Sequence, residues 1–203
     1  MADPQMRRRR VVLVTRNLPP LVGGMERLNW HMAAELAKTH EVAIIGPRGC
    51  AAVAPEGVEV HEVPLRPLWV FLLAALGEAR RLVRWKPDSV MAGSGLTAPI
   101  AWLVARACGA GFVVYVHGLD VALRQPVYRL LWLPAIRRAD RVIANSRPTR
   151  ELCIQIGVLL ERVGIVHPGV DLPLEATGPQ SSDFRAQNDL VGRRVLLSVG
   201  RLT

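Results

Sequence analysis

The sequence predicts an α/β domain built on a doubly wound, mainly parallel sheet. Short apolar runs alternate with longer helical stretches from Arg10 to Val166. Most of the runs are continuous rather than alternating, as expected for parallel strands covered on both faces. Strand-then-helix repetition of this kind implies right-handed crossovers between parallel neighbours.

The first strand spans Arg10–Arg16. Arg7 to Arg10 precede Val11-Val12-Leu13-Val14, but four apolar residues are too few for the core of a secretory signal, and Thr15-Arg16-Asn17 ends the run. A helix follows over 25–38, with Leu28, Met32 and Leu36 at spacing four as one stripe facing a sheet. Strands are expected at Glu41–Gly46 and Val58–Val63, then a helix over 69–85 and a strand at Ser89–Ala92. From Met91 to Val116 the one charged residue is Arg106, so a membrane-spanning helix is an alternative there. Gly93, Gly95, Pro99, Gly109 and Gly111 divide the stretch and favour a buried helix over 96–108 and a strand over 112–116. Helix 126–138, strand Arg141–Ala144, helix 147–156 and strand Val163–Val166 complete the pattern. Ser146 before Arg147-Pro148 suits an N-cap with proline in the first turn.

Composition shifts after Val166. The first domain is expected over 1–167 and a turn-rich connector over 168–193, with a short helix at about 182–190. Arg194–Val199 is a further apolar strand, and 194–203 is expected to be the start of a second α/β domain cut short.

Half of the 203 residues are apolar and 21% are charged, which excludes a disordered tail and a collagen-like fibre. The net charge is +9, and arginine supplies 24 of the 26 basic residues. Such a balance points to anionic partners: phosphate-bearing ligands, a membrane surface or nucleic acid. Nucleic acid is disfavoured, because the arginines are scattered and no recognition module appears. Cys50, Cys108 and Cys153 are odd in number and widely spaced, which argues against a disulfide framework or a zinc site and fits a reducing cytoplasm.

Three segments can carry chemistry. Asn17 to Glu26 lies beyond the carboxyl end of the first strand, where open α/β sheets bind ligands. Gly23 and Gly24 let the backbone approach a ligand, and the following helix aims free N–H groups at an anion; a tight turn before a helix explains the same residues. His117 follows the fifth strand and is placed to donate to a hydroxyl or stabilise developing charge, or is a structural histidine. Asp120 binds a substrate hydroxyl or caps the next helix. Finally, 68–85 opens with nine apolar residues and continues to Arg80, Arg81, Arg84 and Trp85. It reads as a helix lying peripherally on an anionic membrane or as a buried crossover helix.

Several segments in order resemble the N-terminal, acceptor-side half of retaining family 4 glycosyltransferases of the GT-B fold. They are Pro-Pro-x-x-Gly-Gly-x-Glu at 19–26, His40-Glu41-Val42, His-Gly-Leu-Asp at 117–120, Ala139 to Ser146, Pro-Gly-Val-Asp at 168–171 and Ser-Val-Gly-Arg-Leu at 198–202. The resemblance implies a Rossmann-like domain that mainly holds the acceptor, facing a second domain that holds most of the nucleotide diphosphate sugar. It implies that Gly23 and Gly24 touch the donor phosphate or the reacting centre and that His117 contacts the transferred sugar. Arg201 falls where the family places an arginine on the donor diphosphate, and Glu26 supports the glycine loop. No metal or other cofactor is implied; the nucleotide sugar is a co-substrate. The acceptor is a glycan or a lipid-linked hydroxyl, and the expected location is the cytoplasm, peripheral at the inner face of the membrane.

The lysine and glutamates that follow the Gly-Arg-Leu segment in the family are missing here. These 203 residues alone are therefore expected to be inactive. The alternatives are a non-catalytic acceptor-binding module that assembles with a separate C-terminal half, and a GT-B epimerase or other Rossmann-like enzyme. The missing Gly-x-Gly-x-x-Gly disfavours a nicotinamide oxidoreductase.

Overall fold

A computed structural model describes residues 7–123, 125–169 and 180–196. The chain divides into two compact units, Met1–Gly169 and Val170–Thr203.

In the first unit, seven strands form one all-parallel sheet. They are β1 (Arg10–Val14), β2 (Glu41–Pro47), β3 (Val58–Val63), β4 (Ser89–Ala92), β5 (Gly111–Val116), β6 (Arg141–Ala144) and β7 (Val163–Ile165), in the order β3-β2-β1-β4-β5-β6-β7. This is the doubly wound, Rossmann-like order. It reverses between β1 and β4, which opens a crevice at their carboxyl ends. β1 is central, with Val14 opposite Ile45 on one side and Ala92 on the other. Val12, Leu13 and Val14 are all fully buried, because both faces of the sheet are covered around them; hence the continuous apolar run.

One face is covered by α1 (Gly24–Ala37). Its fully buried positions are Asn29 and Ala33, with Met32 and Leu36 packed against Leu13, Val42 and Ile44. The buried line is thus turned slightly from the expected stripe, and Leu28 is only half-buried. The turn brings a polar residue, Asn29, under the β1 loop.

The other face is covered by α2 (Leu68–Val83), α3 (Ala98–Cys108), α4 (Gly118–Ala122), α5 (Pro126–Leu131), α6 (Leu133–Arg137) and α7 (Arg147–Gln155). α2 buries Phe71, Ala75, Ala79 and Leu82, an i, i+4, i+8, i+11 line that fits a helix lying on a sheet. It is the crossover from β3 to β4. α3 has proline in its first turn and ends at Gly109, whose φ of 64° is the left-handed conformation that glycine adopts freely. The stretch 91–116 is therefore β4, α3 and β5, and among the described residues no helix is long and apolar enough to cross a membrane.

Three elements differ from the expectation. The first strand stops at Val14, because the Thr15 hydroxyl turns back to accept the Asn17 N–H at 3.0 Å. The helix expected over 126–138 is two helices, broken at Trp132; Pro134 has no N–H to continue the ladder, and the Trp132 indole instead donates to the Leu96 carbonyl at 2.8 Å. The short α4 was not separated from its loop by periodicity.

In the second unit, α8 (Gln180–Gln187) is followed by a turn. Residues 194–196, the start of the expected strand, lie in no regular element, and 197–199 fall outside the described residues.

Candidate functional site

The carboxyl edge of the sheet gathers the loops that follow β1, β4, β5 and β6. The β1 loop is held from below by α1. Asn29 Nδ2 donates to Thr15 Oγ1 and to the Asn17 carbonyl, both at 3.1 Å, and Asn17 Nδ2 donates to Glu26 Oε1 at 2.9 Å. Glu26 folds back so that its carboxylate occupies the space beside Gly23, while Gly24 has nothing within 4 Å of where a side chain would start. The loop thus ends in an open backbone at the N-terminus of a helix of fourteen residues, where N–H groups lack intrahelical acceptors and the helix dipole favours negative charge.

The β4 loop, Gly93-Ser94-Gly95, packs against both neighbours. A Cβ on Gly93 would lie 2.5 Å from Asn29 Oδ1 and 2.8 Å from Thr15 Cβ; one on Gly95 would lie 2.7 Å from Asp120 Cβ and 2.8 Å from the Tyr128 hydroxyl. Thr97 ties the loop down by donating to the Val14 carbonyl at 2.8 Å.

His117 follows β5 directly and is the N-cap residue of α4. Its backbone N–H donates to Asp120 Oδ2 at 2.9 Å, and the same carboxylate accepts the Gly95 N–H. Asp120 therefore caps α4 and fastens it to the β4 loop. Burial raises the Asp120 carboxyl above the ordinary range, against the lowering effect of those two N–H groups and of His117. Burial also lowers the His117 imidazole from its usual value, while the carboxylates of Asp120 and Glu26 push it the other way. His117 Nε2, the Tyr128 hydroxyl and Ser94 Oγ are buried without a hydrogen-bond partner among the described residues. The His117 side chain accepts the backbone N–H of Asp120 in a capping box, so the neutral imidazole carries its proton on Nε2 and can donate it to a ligand hydroxyl.

Gly23 and Gly24 thus lie on one side of the β4 loop and His117 and Asp120 on the other, at one edge of the sheet; Arg201 falls outside the described residues. The expected Ser146 cap is present, accepting the Thr149 N–H at 3.4 Å, and Thr149 Oγ1 donates to Asn145 Oδ1 at 2.7 Å. The sequence reading missed Thr15, Asn29, Gly93, Gly95 and Tyr128. A signal for the two glycines was available: Gly-Ser-Gly follows a strand directly, at the ligand-binding edge. Among the described residues no three His, Cys, Asp or Glu side chains gather in a way that could hold a metal.

The family model Glycosyltransferase Family 4 matches residues 22–173, a range that includes the glycine loop, the β4 loop and His117. The chain belongs to glycosyltransferase family 4. Solved structures share the fold of this family 4 domain at low identity. HepE from Anabaena, in complex with UDP-glucose, matches with a TM-score of 0.66 at 16% identity, over 90% of this chain and 50% of its own. A glycosyltransferase from Rickettsia africae matches with a TM-score of 0.65 at 15% identity, over 91% and 50%. A UDP-N-acetylglucosamine 2-epimerase from Rickettsia bellii matches with a TM-score of 0.61 at 12% identity, over 91% and 49%. The chain spans about half the length of these structures, one Rossmann-like domain of each. No curated protein matches it.

Proposed function

We propose that this family 4 domain is the acceptor-side half of a retaining glycosyltransferase that moves a hexose from a nucleotide diphosphate sugar to an acceptor hydroxyl. The observation that carries the reading is the β4 loop between them: Gly93 packs on Asn29 and Thr15 beneath the glycine loop, and Gly95 packs on Asp120 beside His117, so the glycine loop and the histidine flank one loop at the carboxyl edge of the sheet. In this reading Gly23 and Gly24 admit the donor phosphate or the reacting sugar, and His117 hydrogen-bonds the transferred hexose. Charge develops on the sugar and the leaving diphosphate in the transition state, and preorganised donors stabilise it. Asp120, whose carboxylate is engaged by two backbone N–H groups, positions the His117 turn. Arg201 takes the diphosphate, its planar fork suiting phosphate oxygens. The nucleotide sugar is a co-substrate, with no resident cofactor; HepE, solved with UDP-glucose, supports that donor class.

The acceptor reading extends to a membrane. α2 leaves Leu68, Trp69 and Leu73 exposed, the last two by 64% and 63%, and Arg80, Arg81 and Arg84 follow on its exposed side. Apolar side chains with an aromatic anchor and nearby arginines suit the headgroup region of an anionic bilayer, which supports an acceptor that is lipid-linked and reached at the inner face of the membrane.

The test is the stereochemistry of the product. The longest product of the coding frame, given nucleotide hexoses and glycan or lipid acceptors, should yield a glycoside with the donor's anomeric configuration, read by NMR. His117→Ala should reduce turnover by about a hundredfold, the scale of losing one transition-state donor, and residues 1–203 alone should show none. Net inversion, or full activity in His117→Ala, would refute the proposal.

A further inference from the structure

β1, β2 and β3 are adjacent, and each is followed at its carboxyl end by an arginine: Arg16, Arg48 and Arg66. Two of them meet. Arg16 Nη2 donates to the Leu65 carbonyl at 3.3 Å, immediately before Arg66. The Arg16 guanidinium also stands 5.6 Å from the centre of the Phe71 ring, in the first turn of α2. Its Nε is buried with no hydrogen-bond partner among the described residues, although the residue as a whole is only half-buried and Arg66 is exposed.

Like charges brought together at a half-buried site cost free energy unless something opposes them. Among the described residues no carboxylate forms an ion pair with Arg16 or Arg66. The carboxylates near this edge are engaged elsewhere: Glu62 accepts the N–H groups of Gly49 and Ala51 at 2.9 and 2.8 Å, and Glu26 accepts from Asn17. Burial first, and then the nearby Arg66 charge, hold the Arg16 guanidinium below its ordinary value. The N-terminus of α2, a helix of sixteen residues, lies next in sequence to Arg66 and adds its positive end to the same corner. β1 lies between this corner and His117: Arg66 follows β3, four strands from β5 in the sheet order, so the two sites share the carboxyl edge of the sheet on opposite sides of the β1 loop.

We propose that Arg16 and Arg66 form a subsite for a phosphate group carried by the acceptor, at the β3 side of the sheet's carboxyl edge. The proposal rests on the transferase reading for the word acceptor; the anion site itself does not. A guanidinium fork matches phosphate oxygens in pairs, and a phosphate bridging two arginines meets donors that the fold leaves unused. Such a subsite would select phosphorylated or phosphodiester-linked acceptors over neutral glycans.

The experiment is a binding titration of the 203-residue chain with glycerol 3-phosphate, with glycerol as the neutral control. A parallel arm uses vesicles of phosphatidylglycerol and phosphatidylcholine in equal parts. Glycerol 3-phosphate should bind and glycerol should not, and Arg16→Gln and Arg66→Gln should each weaken binding about tenfold. Arg106→Gln, at the far end of α3, should leave it unchanged. Binding of the free phosphate assigns the site to phosphate as such; binding confined to vesicles, and still lost in both variants, assigns it to a lipid headgroup. Either result supports the subsite. No binding by the unaltered chain, or equal binding by Arg66→Gln, overturns it. Arg66 is exposed, so its variant tests the proposal even where Arg16→Gln fails to fold. Because the readout is binding, an inverting or inactive enzyme would sink the transferase reading and leave this one standing.

Discussion

The Glu26 carboxylate occupies the space that a side chain on Gly23 would need. Gly23 has φ 168° and ψ 173°, an extended conformation open to any residue, so backbone strain does not require glycine there. The neighbour does, and through it the loop, because the same carboxylate accepts from Asn17 at 2.9 Å.

A double-mutant cycle separates these effects. Gly23→Ala should push Glu26 aside and break its bond to Asn17, at a cost of about 1 kcal/mol for one hydrogen bond. In a Glu26→Ala background the same substitution should cost nothing further. Urea denaturation of the four proteins reads the coupling; additive losses would mean that Gly23 is required for another reason.

Gly24 provides the contrasting case. Nothing lies within 4 Å of its Cβ position, and alanine is the better helix residue by about 1 kcal/mol. Gly24→Ala should therefore hold or raise the thermal midpoint. A simultaneous fall in nucleotide-sugar binding would locate the ligand at that backbone, and unchanged binding would remove Gly24 from the site.

Gly95→Ala should destabilise by roughly 1–3 kcal/mol, the range for overpacking. The atom it meets at 2.7 Å is Asp120 Cβ, which no rotamer change can move, so α4 must shift as a body. The expected signature is a lower thermal midpoint together with faster hydrogen exchange at the His117 N–H, which donates to Asp120. Exchange at that amide unchanged from the unaltered protein would show that α4 does not respond to the β4 loop.

His117 imposes a pH dependence of known sign. Its pKa in the unfolded chain is near 6.5 and in the fold is lower, chiefly through burial. The unfolded state therefore binds more protons just below that value, and the protein loses stability as pH falls from about 6.5 toward the folded pKa. Replacing His117 with Gln should make the urea midpoint fall less between about pH 7.5 and about pH 5.5. An identical fall in both proteins would assign the acid sensitivity to other groups.

Thiol reactivity should follow burial. Cys50 and Cys153 are buried and pushed up to about 11, each chiefly by burial, whereas half-buried Cys108 is raised by burial alone. A disulfide reagent near pH 8 should label Cys108 first and the other two only on unfolding, since the thiolate is the attacking species. Early labelling of Cys153 would place the α7 side of the core in exchange with solvent.

The membrane reading of α2 is tested by flotation with anionic vesicles. Arg80, Arg81 and Arg84 changed together to Glu should abolish co-flotation, and added salt should weaken it in the unaltered protein. Arg81 already pairs with Glu78 at 2.7 Å, so Arg80 and Arg84 should carry most of the effect. Flotation unaffected by the triple substitution would return α2 to the role of crossover helix alone.

Much of the architecture is written in local pattern. Val11 to Val14 and Phe112 to Val116 announce buried parallel strands because burial on both faces imposes apolarity at every position, and a short window suffices to see it. Ser146 and Pro148 mark a helix start for the same reason, since a cap is satisfied within one turn. The break at Trp132 is partly legible in Pro134, but the indole's partner, Leu96, is 36 residues away. What tertiary structure alone decided is the strand order, and with it the meeting of Gly93 with Asn29, of Gly95 with Asp120 and Tyr128, and of Arg16 with the Leu65 carbonyl. Those contacts join residues distant in the chain. Periodicity records which side of an element is buried, not which element buries it.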